Sequence, residues 1–470
     1  MRWPVTEGPR RSALLGLITL LALVNGLLWV AVLPPWQAPD EPKHFEYVRL
    51  LKERGELVAF ATEAEAADPE LQRWILASMD AHRFWWYGRA PGYDPNRPPT
   101  RFADVWLQGS HTALYRSSPA YYWLAARLQP SDRLLGLYVA RLLSVLLGAL
   151  TVLWIGLAAR ELFPDDPLVR YGTPLFAALH PMFVSSFAAV NNDALVHCLT
   201  GFAFLLLARL LVRGANPARL VLLVVVIAAA VLTKRTALFL VPTALCAAAF
   251  WLVLRRRRPV VMLAAAALVA GLAALVLWQW WSGGGWDRLP QELRWTVLRY
   301  FFNEPDQPGR VLAYLRAQGV VPVMREYLWG MHNSFWGSFG WQVVNLPALL
   351  YVILGGIGLV ALAGAIRRVW DAASPIAGRA MLMTAAVAVA LQALAATAFF
   401  VSYLYLPYPP LPQGRYLFGA MTGIGLLLTA GLGAWLPAAR RPGALRAFAL
   451  AMAGFDALAL LGFVVPYFYR

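Results

Sequence analysis

Stretches of about twenty apolar residues recur along this chain, each long enough to cross the hydrocarbon core of a bilayer as a helix. The first is Ala13–Leu33, and others follow at 134–160, 171–190, 194–212, 218–233, 236–254, 259–281, 346–366, 380–401, 416–436 and 444–466. Such a pattern leaves little choice of fold. Inside lipid every backbone N–H and C=O must find a partner within the protein, so the expected class is all-α, a polytopic membrane protein of about eleven helices. Composition agrees, with 60% of the 470 residues hydrophobic and only 14% charged. The first run is too long for the core of a signal peptide and lacks a small-residue cleavage site. It also ends in Pro34-Pro35-Trp36, so it is expected to stay as a span.

The net charge of +16 does not point to nucleic acid, because the basic residues lie in short turns between the apolar runs. Arg2, Arg10 and Arg11 precede the first run. Arg160 and Arg170, Arg213 and Arg219, Arg255–Arg258, Arg367, Arg368 and Arg379, and Arg440, Arg441 and Arg446 then fall in alternate loops. Under the positive-inside rule these loops and the N-terminus are cytoplasmic, and an odd number of spans puts the C-terminus outside. Residues 1–470 read as a single membrane unit with two large outer loops, 34–133 and 282–345. Cys198 and Cys246 both fall in apolar runs and read as inert small hydrophobes.

The first outer loop opens with Pro35-Trp36-Gln37-Ala38-Pro39-Asp40-Glu41-Pro42-Lys43-His44-Phe45-Glu46-Tyr47. Pro39 and Pro42 favour a helix starting here. Asp40 and His44, four apart, then share a face, with Glu41 beside them. A capping acid would explain one carboxylate, but two acids and a histidine against the bilayer suggest chemistry. Glu41–Lys52 and Pro69–Met79 read as helices, Phe84-Trp85-Trp86-Tyr87 as a headgroup-level aromatic patch, and Ser118–Trp123 as an interfacial segment.

The remaining outer motifs are Asn191-Asn192-Asp193, Thr233-Lys234-Arg235-Thr236, Phe335-Trp336-Gly337-Ser338-Phe339-Gly340-Trp341 and Gln413-Gly414-Arg415-Tyr416. Asp193 fits either a helix cap or a third acid meeting Asp40 and Glu41. Lys234, Arg235 and Arg415 break the positive-inside pattern, either as snorkelling side chains or as an anion site. Trp336 and Phe339 lie in a glycine-aromatic run that fits an interfacial belt or a flat platform for sugars. His180-Pro181 inside a run reads as a kink with a locally satisfied histidine. No GxxxxGK[ST], GxGxxG or HExxH stands where such a motif would need to sit, so ATP-driven transport and Rossmann-type nucleotide-sugar chemistry lack support. Outside carboxylates together with outside cations at a membrane surface suit group transfer from a lipid phosphate. Cations neutralise the leaving phosphate and a carboxylate takes the proton of the attacking hydroxyl.

In this pattern the chain resembles the GT-C superfamily of polytopic glycosyltransferases that use polyprenyl-phosphate-linked sugars. More narrowly, it is similar to a large family of uncharacterised bacterial membrane proteins assigned to that superfamily. The resemblance rests on Pro39–His44, Ser118-Pro119-Ala120-Tyr121-Tyr122, Arg141-Leu142-Leu143-Ser144, Asn191–Asp193, Thr233-Lys234, Phe335–Gly340 and Gln413–Tyr416. It implies a GT-C-like fold with Asp40 or Glu41 as catalytic base and Asp193 as a second acid of the outer site. His44, Gln413, Tyr416, Trp336 and Phe339 are expected to bind substrate, and Lys234, Arg235 and Arg415 are candidates for a phosphate clamp on their sidedness. A divalent metal, Mg2+ or Mn2+, on Asp40, Glu41 and Asp193 is left open.

The expectation is therefore a glycosyltransferase of a bacterial inner membrane. It would move a sugar from a polyprenyl-phosphate donor to a lipid, glycan or protein acceptor hydroxyl on the outer face, with inversion. The alternatives are a transporter or lipid flippase, and a non-catalytic partner in envelope assembly. A transporter would need ionisable groups within the spans, and the clearest there is Asp456.

Overall fold

A computed structural model describes residues 9–55, 68–88, 98–105, 118–256, 307–406 and 411–470. Among them eight helical segments are long and apolar enough to cross a membrane: Ala13–Val32, Arg133–Leu162, Asp193–Arg213, Arg235–Arg255, Ala348–Trp370, Ile376–Ser402, Gly414–Ala434 and Ala438–Tyr469. Each coincides with an expected run. Of the other three, 218–233 forms the 17-residue helix Pro217–Thr233, and 259–281 lies outside the described residues, as do Gly283–Gly285. The protein is an all-helical polytopic membrane protein. Its exposed side chains fit that reading, since Leu349, Leu359, Leu450 and Leu461 are all more than half exposed on helices that lipid would surround.

The run 171–190 is not one span. Pro167–Ala178 and Pro181–Phe187 are separate helices, broken where Pro181 ends the hydrogen-bond ladder. The freed groups are capped from nearby. His180 Nδ1 accepts from Phe183 N at 3.2 Å, and Asn25 of the first span donates to Ala178 O at 3.1 Å. His180 is thus only half satisfied, since its Nε2 has no partner and its ring stacks on Trp336 at 5.2 Å.

The spans close on small residues. A Cβ on Gly431 would run into Ala361 O, and one on Gly364 into Gly431 O, so Ala348–Trp370 and Gly414–Ala434 touch backbone to backbone. At one end of the bundle Asp166 takes Arg368 at 2.7 Å and Arg441 at 2.9 Å, while Glu161 pairs with Arg213. Four of the arginine-bearing turns, at 160–170, 213–219, 367–379 and 440–446, therefore share one end.

The other end is organised by Glu41 and Arg141. The helix Glu41–Arg54 is buried from Glu41 to Leu51, far more enclosed than a surface loop helix. Glu41 faces Arg141 of the span Arg133–Leu162 in a two-point contact, Nε to Oε1 at 2.8 Å and Nη2 to Oε2 at 2.7 Å. Arg141 also donates to Leu33 O and Pro34 O, and Glu41 accepts from Trp36 N and Val190 N, so neither charge is left bare. Arg141 lies 21 residues before Leu162, so the two charged ends are about 30 Å apart along the helix, close to a hydrocarbon thickness.

Removing one side of a fully buried pair leaves the other charge stranded, at a cost of about 3–5 kcal/mol. Arg141→Leu and Glu41→Gln should each lower the melting midpoint of the purified protein strongly. The double change should cost clearly less than the sum, which a double-mutant cycle on melting measures.

Candidate functional site

The polar end is assembled around a strained turn. Trp36 and Asp40 both have left-handed backbones, with φ of 71° and 65°. Asp tolerates this conformation, but a tryptophan there is a true outlier. Three contacts hold Trp36: its N–H on Glu41, its indole on Ser78 Oγ at 3.0 Å, and its carbonyl on Trp341 Nε1 at 3.0 Å. The turn separates the two adjacent acids. Glu41 goes inward to Arg141, while Asp40 stays about one-third exposed and bonds Arg415 Nη2 at 2.8 Å, with Lys43 Nζ at 3.9 Å.

Glu41 also places the second acid. Its Oε1 takes Val190 N at 3.1 Å, the Tyr121 hydroxyl takes Asn191 N at 3.2 Å, and Tyr121 is bonded in turn to Ser144 at 2.7 Å. The helix then starts at Asp193, whose N–H is bonded by Asn191 Oδ1 at 2.6 Å. Asp193 is therefore not the cap. Its carboxylate is paired with Lys234, which ends the helix Pro217–Thr233 in extended backbone.

Arg415 is placed by close approach. Gly414 N donates to Ser334 Oγ at 2.8 Å, and a Cβ on Gly414 would run into the backbone of Phe335. Arg415 looks onto a cleft of about 380 Å³, counted to its open mouth, lined also by Asn191, Ser185, Ser186, Pro39 and Phe339. His44 is buried and shares a 2.8 Å hydrogen bond between Nδ1 and the Tyr122 hydroxyl.

Charge and burial set the ionisation here. Burial raises the Asp40 carboxyl, but Arg415, Lys43 and His44 outweigh it and hold Asp40 below the usual carboxylate value. Burial, with Lys234 and Arg415, brings His44 down to about 4 against the pull of Asp40 and Asp193. His44 is neutral at pH 7.

Buried polar atoms without a hydrogen-bond partner in these segments include both amide atoms of Gln37, Asn192 Oδ1, His197 Nδ1, Gln413 Oε1 and Arg415 Nε; others, such as Gln129 Oε1 and His180 Nε2, lie elsewhere. Buried polar atoms are normally paired, so a cluster of exceptions calls for an explanation.

Of the residues expected at the site, Asp40, Asp193, His44, Lys234, Gln413, Arg415 and Tyr416 belong to segments that meet at this end. Tyr416 packs on Phe399 beside Arg415. Arg235 is exposed and pairs with neither acid. Trp336 and Phe339 are no accessible platform. They are 7% and 1% exposed, Trp336 among His180, Phe176 and Phe455, and Phe339 against Trp29 at 5.0 Å. Gly337 and Gly340 serve the close packing of the hairpin Ser338–Phe339 with Val344–Asn345. Tyr121 and Tyr122 likewise point inward and are fully buried; of that segment Trp123 is the exposed ring.

The three acids do not form the site that Mg2+ or Mn2+ would need. Glu41 is saturated by N–H donors, Asp40 and Asp193 each hold a cation, and among the described residues no group of three or more His, Cys, Asp or Glu is placed for a metal. Sequence reasoning missed the parts played by Arg141, Tyr121, Tyr122 and His197. Arg141 did carry a signal, since a lone arginine inside an apolar run needs a buried partner.

Fold and site together define a polytopic helical membrane protein with a charged site at one end of its bundle. The chain belongs to the DUF2142 family of predicted membrane proteins, whose model matches residues 23–422 and so takes in every segment of the site. No curated protein matches it.

Because His44 is lowered in the folded state, the unfolded chain takes up its proton first. The stability this gives is full above pH 6.5 and is lost as pH falls toward 4, the loss reaching about 2 kcal/mol at pH 5. His44→Asn should flatten the fall in melting midpoint between pH 7 and 5 relative to wild type.

Proposed function

We propose that the protein is a membrane glycosyltransferase, moving a sugar from a polyprenyl-phosphate donor to an acceptor hydroxyl with inversion. The observation that carries this reading is the pairing of each available carboxylate with a cation at the same end of the bundle, Asp40 with Arg415 and Asp193 with Lys234. Four arginine-bearing turns gather at the opposite end, which favours a site on the extracytoplasmic face of a bacterial inner membrane. The likeness to GT-C enzymes points the same way.

Asp40 is the better base. All the hydrogen bonds Glu41 makes go to protein donors, while Asp40 is partly open and has one strong partner. A phosphate arriving at Arg415 competes with Asp40 for the guanidinium. As that attraction weakens, burial dominates and the carboxylate becomes more basic, as proton abstraction requires. The acceptor oxygen then forms its bond to the anomeric carbon and its proton passes to Asp40. The bond from that carbon to the phosphate oxygen breaks, and the electron pair leaves with the phosphate toward Arg415 and Lys234.

The rival reading, translocation, would make use of Asp456. Its carboxylate is buried among the spans and takes the Trp29 indole at 3.1 Å. An envelope-assembly role without catalysis is the other alternative.

In membranes supplied with radiolabelled polyprenyl-phosphate sugars, wild type should release or transfer label. Asp40→Asn should reduce this at least about a hundredfold at equal protein level, as loss of a general base does. Asp193→Asn should act mainly by freeing Lys234 and cost less. Glu41→Gln should act through protein level. Turnover that survives Asp40→Asn rules out this assignment.

A further inference from the structure

The site contains two copies of one local pattern. Asp40-x3-His44 opens the helix Glu41–Arg54, and Asp193-x3-His197 opens the span Asp193–Arg213. In each the aspartate binds a cation brought by a remote segment, and the histidine lies one turn further in on the same face. The copies differ in one respect. His44 Nδ1 is bonded to Tyr122, whereas His197 Nδ1 has no partner although the residue is only 5% exposed.

The surroundings of His197 are of two kinds. Phe183, Phe187 and Phe418 stand around the ring at 6.0, 5.8 and 6.2 Å between centroids, fixing its plane. Asp193, paired with Lys234, stands one turn before His197 on the same helix, so His197 borders the charged cluster as well as the core. A buried nitrogen held rigid beside charged groups and given no protein partner is costly unless something else bonds it. The two cations are the natural partners of a phosphate, which leaves His197 for a neutral group. A hydroxyl fits, because it both donates and accepts and so suits either imidazole tautomer.

We propose that His197 is a substrate-binding residue of this site, its Nδ1 hydrogen-bonding a hydroxyl of the sugar or acceptor. The proposal rests on the glycosyl-transfer reading for the identity of the substrate, but the position of the side chain is testable without it. In full-length protein carrying Cys198→Ser and Cys246→Ser, His197→Cys should react with a small aqueous methanethiosulfonate at least about tenfold faster than the native Cys198 does in a Cys246→Ser control. A core histidine position would label no faster than Cys198, and that result overturns the proposal.

A second arm uses turnover of polyprenyl-phosphate sugars. His197→Asn keeps an amide near the Nδ1 position and should stay within about threefold of wild type. His197→Gln, which reaches the Nε2 position instead, and His197→Phe should each lose about tenfold in kcat/KM, carried by KM, the loss expected for one hydrogen bond. Equal kinetics for all three variants overturns the contact even if labelling is fast. Fast labelling in a protein that turns over no lipid-linked sugar defeats the glycosyl-transfer reading and leaves His197 lining a ligand site.

Discussion

The arrangement of the polar end depends on one buried ion pair. Taking a carboxylate and a guanidinium out of water is expensive, and the pair Glu41–Arg141 offsets this by bonding four of the five guanidinium N–H groups and both carboxylate oxygens. Two N–H bonds join the charges, two backbone carbonyls take two further guanidinium N–H groups, and two backbone N–H groups bond the carboxylate. The outcome is geometric. The exit of the first span, the strained turn at Trp36, the start of Glu41–Arg54, the first third of the span Arg133–Leu162 and the approach to Asp193 are fixed relative to one another. Such pairs add little net stability over an apolar core, and here the gain is register.

Against that fixed frame, the pairs Asp40–Arg415 and Asp193–Lys234 are of a different kind. They are partly exposed, each with one close contact and one long flexible cation. On the proposed reading a ligand phosphate takes over the cation of these pairs, which the fuller enclosure of Glu41–Arg141 would not allow. Two adjacent acids in the sequence thus do opposite work, and the left-handed residue between the turn and the helix is what separates them.

The apolar runs were legible because the bilayer imposes a length, and all eight long spans stand where hydropathy puts them. The break at His180-Pro181 was legible as a kink but not as two helices. Its completion depends on Asn25, which no local pattern connects to Ala178. Asp40, Asp193, Lys234 and Arg415 were legible as a set because cations on the wrong side of a membrane need partners. The pairing itself was not, since it joins residues 375 and 41 positions apart. The run with Trp336 and Phe339 fitted a belt or a platform in the sequence, because glycines beside aromatics look alike whether they open a surface or allow close packing. Only the neighbours decide, and here they are His180, Phe176 and Trp29.

The atoms without partners bear on function more than the paired ones do. A helix bundle in lipid has every reason to satisfy its polar groups internally. Most do so here: Thr173 bonds Thr429 across two helices at 2.7 Å, and Asp456 takes the Trp29 indole. Among the described residues, exceptions at Gln37, Asn192, His197, Gln413 and Arg415 lie in the segments that carry the two acid–cation pairs, and others, at Gln129, His180 and Arg441, lie outside them. Side chains held in that state need rigid neighbours, and the three phenylalanines around His197, the close contact of Gly414 with Phe335 and the Glu41–Arg141 clasp supply them. A site pre-arranged in this way meets its ligand with hydrogen-bonding groups already stripped of water and oriented, so binding does not have to order them. That is a reason for a stable bundle to carry the strain of Trp36 and Asp40 at one end and not elsewhere.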